Sequence, residues 1–160
     1  MAEVPSLITE DGLVLTQSVA IMSYLEERFP QPQLLPEDLQ LRAICRQVTE
    51  LIASGIQPLQ NLSLLQQIDR WNGDRVLWGK EVIQKGLETV EEIIVQARDR
   101  FSIEGDFLFG QTPSLADCCL VPQLYNAKRF GCELNNLHWS IRAEKAMLGL
   151  PLAASAHPNQ

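Results

Sequence analysis

From Leu41 onward the apolar residues recur at helical spacing, which confines most of the chain to a packing of helices. Leu41, Ile44, Cys45, Val48, Leu51 and Ile52 stand at offsets 0, 3, 4, 7, 10 and 11, one face of a helix. Gly55 and Pro58 are expected to interrupt that run. A longer stripe, Ile83, Leu87, Val90, Ile94, Ala97 and Phe101, steps by 4, 3, 4, 3 and 4 residues. It predicts a helix from about Asp74 to Arg100. A helix with one apolar stripe must bury it against another element, so the repeated stripes imply a helical domain with a shared core.

Ser114-Leu115-Ala116-Asp117 opens a further helix. The Ser114 hydroxyl can accept from the Asp117 N–H while the Asp117 carboxylate reaches back to the Ser114 N–H, a short form of the capping box. The run through Leu124 is almost wholly apolar, so this helix is expected at the centre, kinked at Pro122. Before it, Phe107 to Gly110 reads as an apolar loop or short strand. A last helix spans roughly Leu137 to Leu148, with Pro151 expected to end it.

The front of the chain is different. Ser6 to Thr9 and Leu13 to Thr16 are two short strands around Glu10-Asp11-Gly12, a hairpin turn. Thr16 is placed to cap a helix carrying Val19, Met22 and Leu25, which ends near Phe29-Pro30. Pro30, Pro32 and Pro36 make a stiff connector, and the division expected is 1–30, a linker at 31–38, and a helical domain over 39–160. A hairpin and one helix form a poor domain alone. The front therefore reads as the end of a larger unit.

Composition narrows the function classes. The 160 residues carry a net charge of −7 with no Lys/Arg cluster, which argues against nucleic acid or an acidic membrane as partner. The four cysteines, Cys45, Cys118, Cys119 and Cys132, form no C-x-x-C pair and there are two histidines, so no metal site is expected. Cys45, Cys118 and Cys119 read as packing thiols in a reducing compartment. Trp71, Trp78 and Trp139 read as core in preference to pocket walls, and His157 has no acidic partner in view. Met1 to Pro5 lacks an apolar signal core and no run of about 18 apolar residues occurs, so a soluble, cytoplasmic protein is expected.

Several segments resemble a known family. Val4-Pro5 before a strand, then Thr16 to Ile21 and Tyr24-Leu25-Glu26, are similar to the glutathione-site segment of cytosolic glutathione transferases, and Leu34-Leu35-Pro36 to their inter-domain linker. Gly55-Ile56-Gln57-Pro58-Leu59-Gln60-Asn61-Leu62-Ser63 and the stretch from Ser114 to Gly131 resemble signatures of the zeta class, the maleylacetoacetate isomerases, and the ending Ala156-His157-Pro158 fits. The resemblance covers essentially the whole chain. It implies a mainly α fold: an all-helical C-terminal domain (39–160) preceded by the β-β-α remnant of a thioredoxin-like domain (1–30). It also implies glutathione as cofactor, a homodimer, and glutathione-dependent cis-trans isomerisation of maleylacetoacetate to fumarylacetoacetate in tyrosine and phenylalanine catabolism, with glutathione transferase activity. In that reaction the thiolate adds to a double bond, a single bond rotates, and the thiol leaves. The thiol must be ionised, and the acidic substrate needs a cation or N–H donors.

By the same resemblance, Gln17 and Ser18 hold the γ-glutamyl carboxylate, and a cis Val4–Pro5 bond pairs with the cysteinyl backbone. Gln57, Asn61, Leu62 and Ser63 approach glutathione, partly from the neighbouring subunit, and Arg129 faces the substrate. From the residues alone, Gln17-Ser18 is either an anion site or an ordinary capped helix start. Val4–Pro5 would be trans, Gln57 to Ser63 would be solvated helix-end groups, and Arg129 would be a cation complementing a helix C-terminus. Ser114 and Asp117 are structural. The family's catalytic Ser/Cys motif is expected upstream of Val4, in about 50 residues of strand-helix-strand-helix. No catalytic residue is therefore assigned, and the chain reads as N-terminally truncated. The other reading is a catalytically inactive isoform acting as a dimerising or binding helical module.

Overall fold

The computed structural model describes residues 5–156. Val4, and with it the Val4–Pro5 bond, lies outside the described residues, as does His157 with the rest of the ending. The order is β1 (Ser6–Ile8), β2 (Val14–Thr16), α1 (Ser18–Arg28), α2 (Leu39–Glu50), α3 (Leu62–Arg70), α4 (Arg75–Phe101), α5 (Leu115–Arg129), α6 (His138–Leu148) and α7 (Pro151–Ser155). The fold is mainly helical with a β-β-α front, as the sequence predicts.

β1 and β2 pair antiparallel, Ser6 with Thr16 and Ile8 with Val14. Their turn is held at Thr9, which accepts from the Gly12 N–H at 2.9 Å and from the Leu13 N–H through its hydroxyl at 3.0 Å. Gly12 sits at φ 86°, where a side chain would be strained. The Glu26 carboxylate of α1 accepts from the Leu34 and Leu35 N–H groups at 3.0 and 3.1 Å, tying the front to the connector. The connector is in turn tied to α5 where the Leu115 N–H donates to the Leu34 carbonyl at 2.9 Å.

The core gathers Cys45, Val48, Ile52 and Ile56 from the first helical run, Ile83, Leu87, Val90 and Ile94 from α4, and Leu120, Leu124 and Ala127 from α5. The α4 stripe is buried as expected down to Ala97, with Phe101 half-buried. At Gly86 a Cβ would stand 2.5 Å from the Ile56 side chain, so glycine lets α4 close on the first run.

The first run does not stop at Gly55. α2 passes into a π-helical stretch, Leu51–Ile56, and then a 3₁₀ turn, Gln57–Gln60. The wider turn, closed by the Gln57 N–H on the Ile52 carbonyl, carries the chain past Gly55. Pro58 sits in the first turn of this 3₁₀ element, after Gln57, because a first-turn N–H has no helical partner to lose. Pro151 does the same for α7, so it starts an element rather than ending one. α5 runs through Pro122 to Arg129.

Two expectations about aromatic residues are corrected. Trp71 is 69% exposed and Trp78 39%, so neither is core; both lie at the α3–α4 corner, Trp71 just past the end of α3 and Trp78 in the opening turns of α4. Trp139 is partly buried, with the Arg98 guanidinium 3.6 Å from its ring centroid.

Candidate functional site

The first group of candidate residues forms at the passage from β2 into α1. Thr16 is not the cap: it ends β2, and Gln17 takes the cap position at φ 72°, ψ 120°. Strand passes into helix through this one residue, and its left-handed φ is an uncommon backbone for a residue with a side chain. The Gln17 side chain makes no capping bond, and the first turn holds no acidic residue. Among the described residues the opening amides of α1, with Ser18 leading, therefore have no side-chain acceptor, and donors and helix dipole together favour an anion.

The second group lies where the first helical run ends. Gln57 is half-buried, while Asn61, Leu62 and Ser63 are exposed. Asn61 is the cap residue of α3 with extended backbone (φ −61°, ψ 142°), yet its side chain makes no capping bond. Here too an exposed helix start carries a side-chain amide with no hydrogen bond among the described residues. The segment is pinned from two sides. Trp78 donates its indole N–H to the Leu59 carbonyl at 2.9 Å, and the Gln60 amide donates to Gln123 Oε1 of α5 at 2.5 Å. Among the described residues no hydrogen bond joins Gln17 or Ser18 to Gln57, Asn61 or Ser63.

Arg129 is the last residue of α5 and is exposed. Its guanidinium stands 3.5 Å from Asn126 Oδ1 and 5.8 Å from the centroid of the Tyr125 ring. The helix ends just beyond it in a Schellman motif: Gly131 at φ 67°, the Cys132 N–H on the Ala127 carbonyl at 3.0 Å and the Gly131 N–H on the Lys128 carbonyl at 3.2 Å. Lys128 is held by Glu144 at 2.7 Å, so Arg129 is the cation of this helix end with no carboxylate partner among the described residues. Tyr125 also lines an apolar cleft of about 330 Å³ with Cys118, Val121, Pro122, Met147 and Leu148. A carboxylate on Arg129 would thus stand next to a place for an apolar chain. Sequence reading missed both this cleft and the Gln60–Gln123 bond. The one signal for the latter was a glutamine inside an apolar helix.

Ser114 and Asp117 form the capping box. Asp117 is fully buried and accepts from the Ser114 N–H (2.8 Å), the Ser114 hydroxyl (2.6 Å) and the Leu108 N–H (3.0 Å). The third bond fastens the loop before α5 to the helix itself. Burial pushes the Asp117 carboxyl above its ordinary range, while these donors pull the other way. The pair is enclosed, so its role is in the fold.

The cysteines are free. Burial pushes Cys118 up to about 11 and Cys119 up to about 12, so both stay protonated near neutrality and are poor nucleophiles. Among the described residues no group of three His, Cys, Asp or Glu side chains could hold a metal ion, and no helix is long and apolar enough to cross a membrane.

No protein-family model matches the chain. Curated relatives do. Mouse maleylacetoacetate isomerase is 43% identical over 160 residues, covering all of this chain and 70% of the mouse protein. Among solved structures, the maleylacetoacetate isomerase of Anaeromyxobacter dehalogenans 2CP-1, with dicarboxyethyl glutathione and citrate in its active site, superposes with a TM-score of 0.88. It is 39% identical over 99% of this chain and 71% of that one. Maleylpyruvate isomerase of Pseudomonas aeruginosa PAO1 superposes at 0.87 with 32% identity, over 98% of this chain and 80% of that one. A helix start after a strand and a second at Asn61, neither with a side-chain cap among the described residues, and an arginine at the end of α5 with no carboxylate partner among them thus occur in a chain whose whole length aligns with maleylacetoacetate isomerase. The chain belongs to the maleylacetoacetate isomerase family of zeta-class glutathione transferases.

Proposed function

We propose that this chain binds glutathione and serves the glutathione-dependent cis-trans isomerisation of maleylacetoacetate, with the glutathione transferase activity of its class. The observation that carries the reading is the start of α1. In a chain of this family, Gln17 is turned to a left-handed φ and spends no side-chain bond on the helix, leaving the Ser18 end open to an anion. The γ-glutamyl carboxylate of glutathione is that anion. Val4 and Pro5 are assigned to its cysteinyl backbone, and Gln57, Asn61, Leu62 and Ser63 to a second wall of the site. Arg129 is assigned to a carboxylate of a small acidic substrate, whose carbon chain would enter the cleft beside Tyr125. Residues 31–38 are taken as the join between the glutathione-binding part and the helical domain.

A homodimer is part of the proposal. It is supported by the exposed apolar residues Leu59, Leu62, Trp71, Val76, Leu77 and Trp78, all within one stretch next to the Asn61 helix start. A cytoplasmic setting is supported by the free thiols.

Calorimetric titration with glutathione tests the reading. The unaltered chain is expected to bind, and Ser18→Ala to bind roughly tenfold more weakly, the worth of one hydrogen bond to a charged group. Turnover of a maleylacetoacetate analogue then follows the isomerase reading. Binding without turnover assigns the chain to the second reading, a module that binds and assembles without chemistry. No heat from the unaltered chain overturns the glutathione site.

A further inference from the structure

Gln123 is fully buried in an otherwise apolar stretch of α5, and its Oε1 accepts from Gln60 Nε2 at 2.5 Å. The two side chains come from positions 63 residues apart. Each amide is only half used: Gln60 Oε1 and Gln123 Nε2 are both buried with no hydrogen-bond partner among the described residues. A buried polar pair in that state is a poor stabiliser, because the desolvation of two amides is offset by a single bond. An apolar side chain of similar volume at 123 would pack without that cost. What the pair does provide is direction, since a hydrogen bond fixes position and rotation where apolar contact tolerates sliding.

The place it fixes is specific. Gln60 closes the 3₁₀ turn Gln57–Gln60, a short element with weak hydrogen-bond geometry of its own. Gln57, Asn61, Leu62 and Ser63 flank it within three residues on either side. At the other end, α5 is the most enclosed helix of the domain and carries Arg129 at its C-terminus. A rigid central helix therefore holds, through one buried bond, the short turn on which the second wall of the site is built.

We propose that Gln60 and Gln123 are a positioning pair that sets the Gln57–Ser63 wall against α5 and so against Arg129. This rests on the glutathione-site reading above. Neither glutamine is proposed to touch glutathione or substrate.

The test compares the full chain with Gln60→Leu, Gln123→Leu and the double variant, reading glutathione affinity by calorimetry, thermal midpoint, and amide exchange by mass spectrometry. Each single variant is expected to lower the midpoint, since it leaves the other amide buried without its partner, the double variant to recover or raise it, and each single variant to bind glutathione about tenfold more weakly. The double variant should bind no more weakly than either single one, because both remove the same bond. Exchange over residues 57–65 should speed up while α4 is unchanged. Unchanged affinity and exchange in a folded Gln123→Leu overturn the positioning role alone, leaving the glutathione site standing. Additive losses in the double variant overturn it too. No binding by the unaltered chain overturns the site reading, and the pair's role falls with it. Should Gln123→Leu fail to fold, Gln60→Leu at the partly buried end carries the same comparison.

Discussion

At the scale of single residues, three buried charged side chains satisfy backbone groups outside their own helices. Asp117 closes its own helix start and also accepts from the Leu108 N–H. Glu91, on α4, accepts from the Trp139 N–H at 2.7 Å and the Ser140 N–H at 3.0 Å. It thereby caps α6, whose own cap residue, Leu137, has no side chain fit for the task. Arg98 donates to the carbonyls of Phe107 (2.7 Å), Ile103 (2.9 Å) and Gly105 (2.9 Å), gathering the loop between α4 and α5 around one guanidinium. The loop has little regular structure, so these bonds satisfy carbonyls that would otherwise be stranded. Asp117→Ala should therefore cost about 3 kcal/mol, since it strands the buried Leu108 and Ser114 N–H groups together. Ser114→Ala should cost about 1 kcal/mol, the loss of one cap. Urea unfolding of both variants checks the ranking. Equal losses would mean that Asp117 acts through the cap alone.

Among the elements, the hairpin and α4 stand at opposite ends of stability. β1 and β2 pair over three residues each, and Ile8, Leu13 and Val14 are exposed, with Ile8 at 69%. α1 buries one side chain, Ile21. A two-stranded ribbon with so little cover is marginal, and opening it exposes little further apolar surface. α4 runs 27 residues from an Asp74 cap to a left-handed Ser102, with Ile83, Leu87, Val90 and Ile94 fully buried. Its opening would cost most of the core. Amides over 5–30 should therefore exchange with solvent well before those of Ile83 to Ala97, as read by hydrogen exchange with mass spectrometry. Equal protection across both would show that the front is held as firmly as the core.

For the molecule as a whole, the apolar stretch over residues 59–78 is the surface that the proposed dimer would cover. Leu62 is 65% exposed and Trp71 69%, and neither belongs to the core. If a second copy covers them, sedimentation velocity at micromolar concentration should give a dimer of the 18.0 kDa chain. Trp71→Glu with Leu77→Glu should then shift it to monomer while leaving the helical signal intact, because a charge in an apolar contact between copies is costly but in water is not. A monomer from the unaltered chain would remove the dimer from the proposal.

The sequence by itself determined the helical stripes, the hairpin around Asp11-Gly12 and the Ser114–Asp117 box, because each is written in residues within a turn or two of one another. The family was legible for the same reason, in short contiguous segments. Prolines were only half legible. A proline is compatible both with the end of a helix and with its first turn, and Pro58 and Pro151 are both first-turn residues. Only the tertiary structure decided that Glu91 caps α6, that Arg98 holds a loop, that the tryptophans of the α3–α4 corner face outward, and that Gln60 meets Gln123. Each of these depends on which helices become neighbours. That is fixed by the packing of whole faces, at sequence separations where local pattern carries no information.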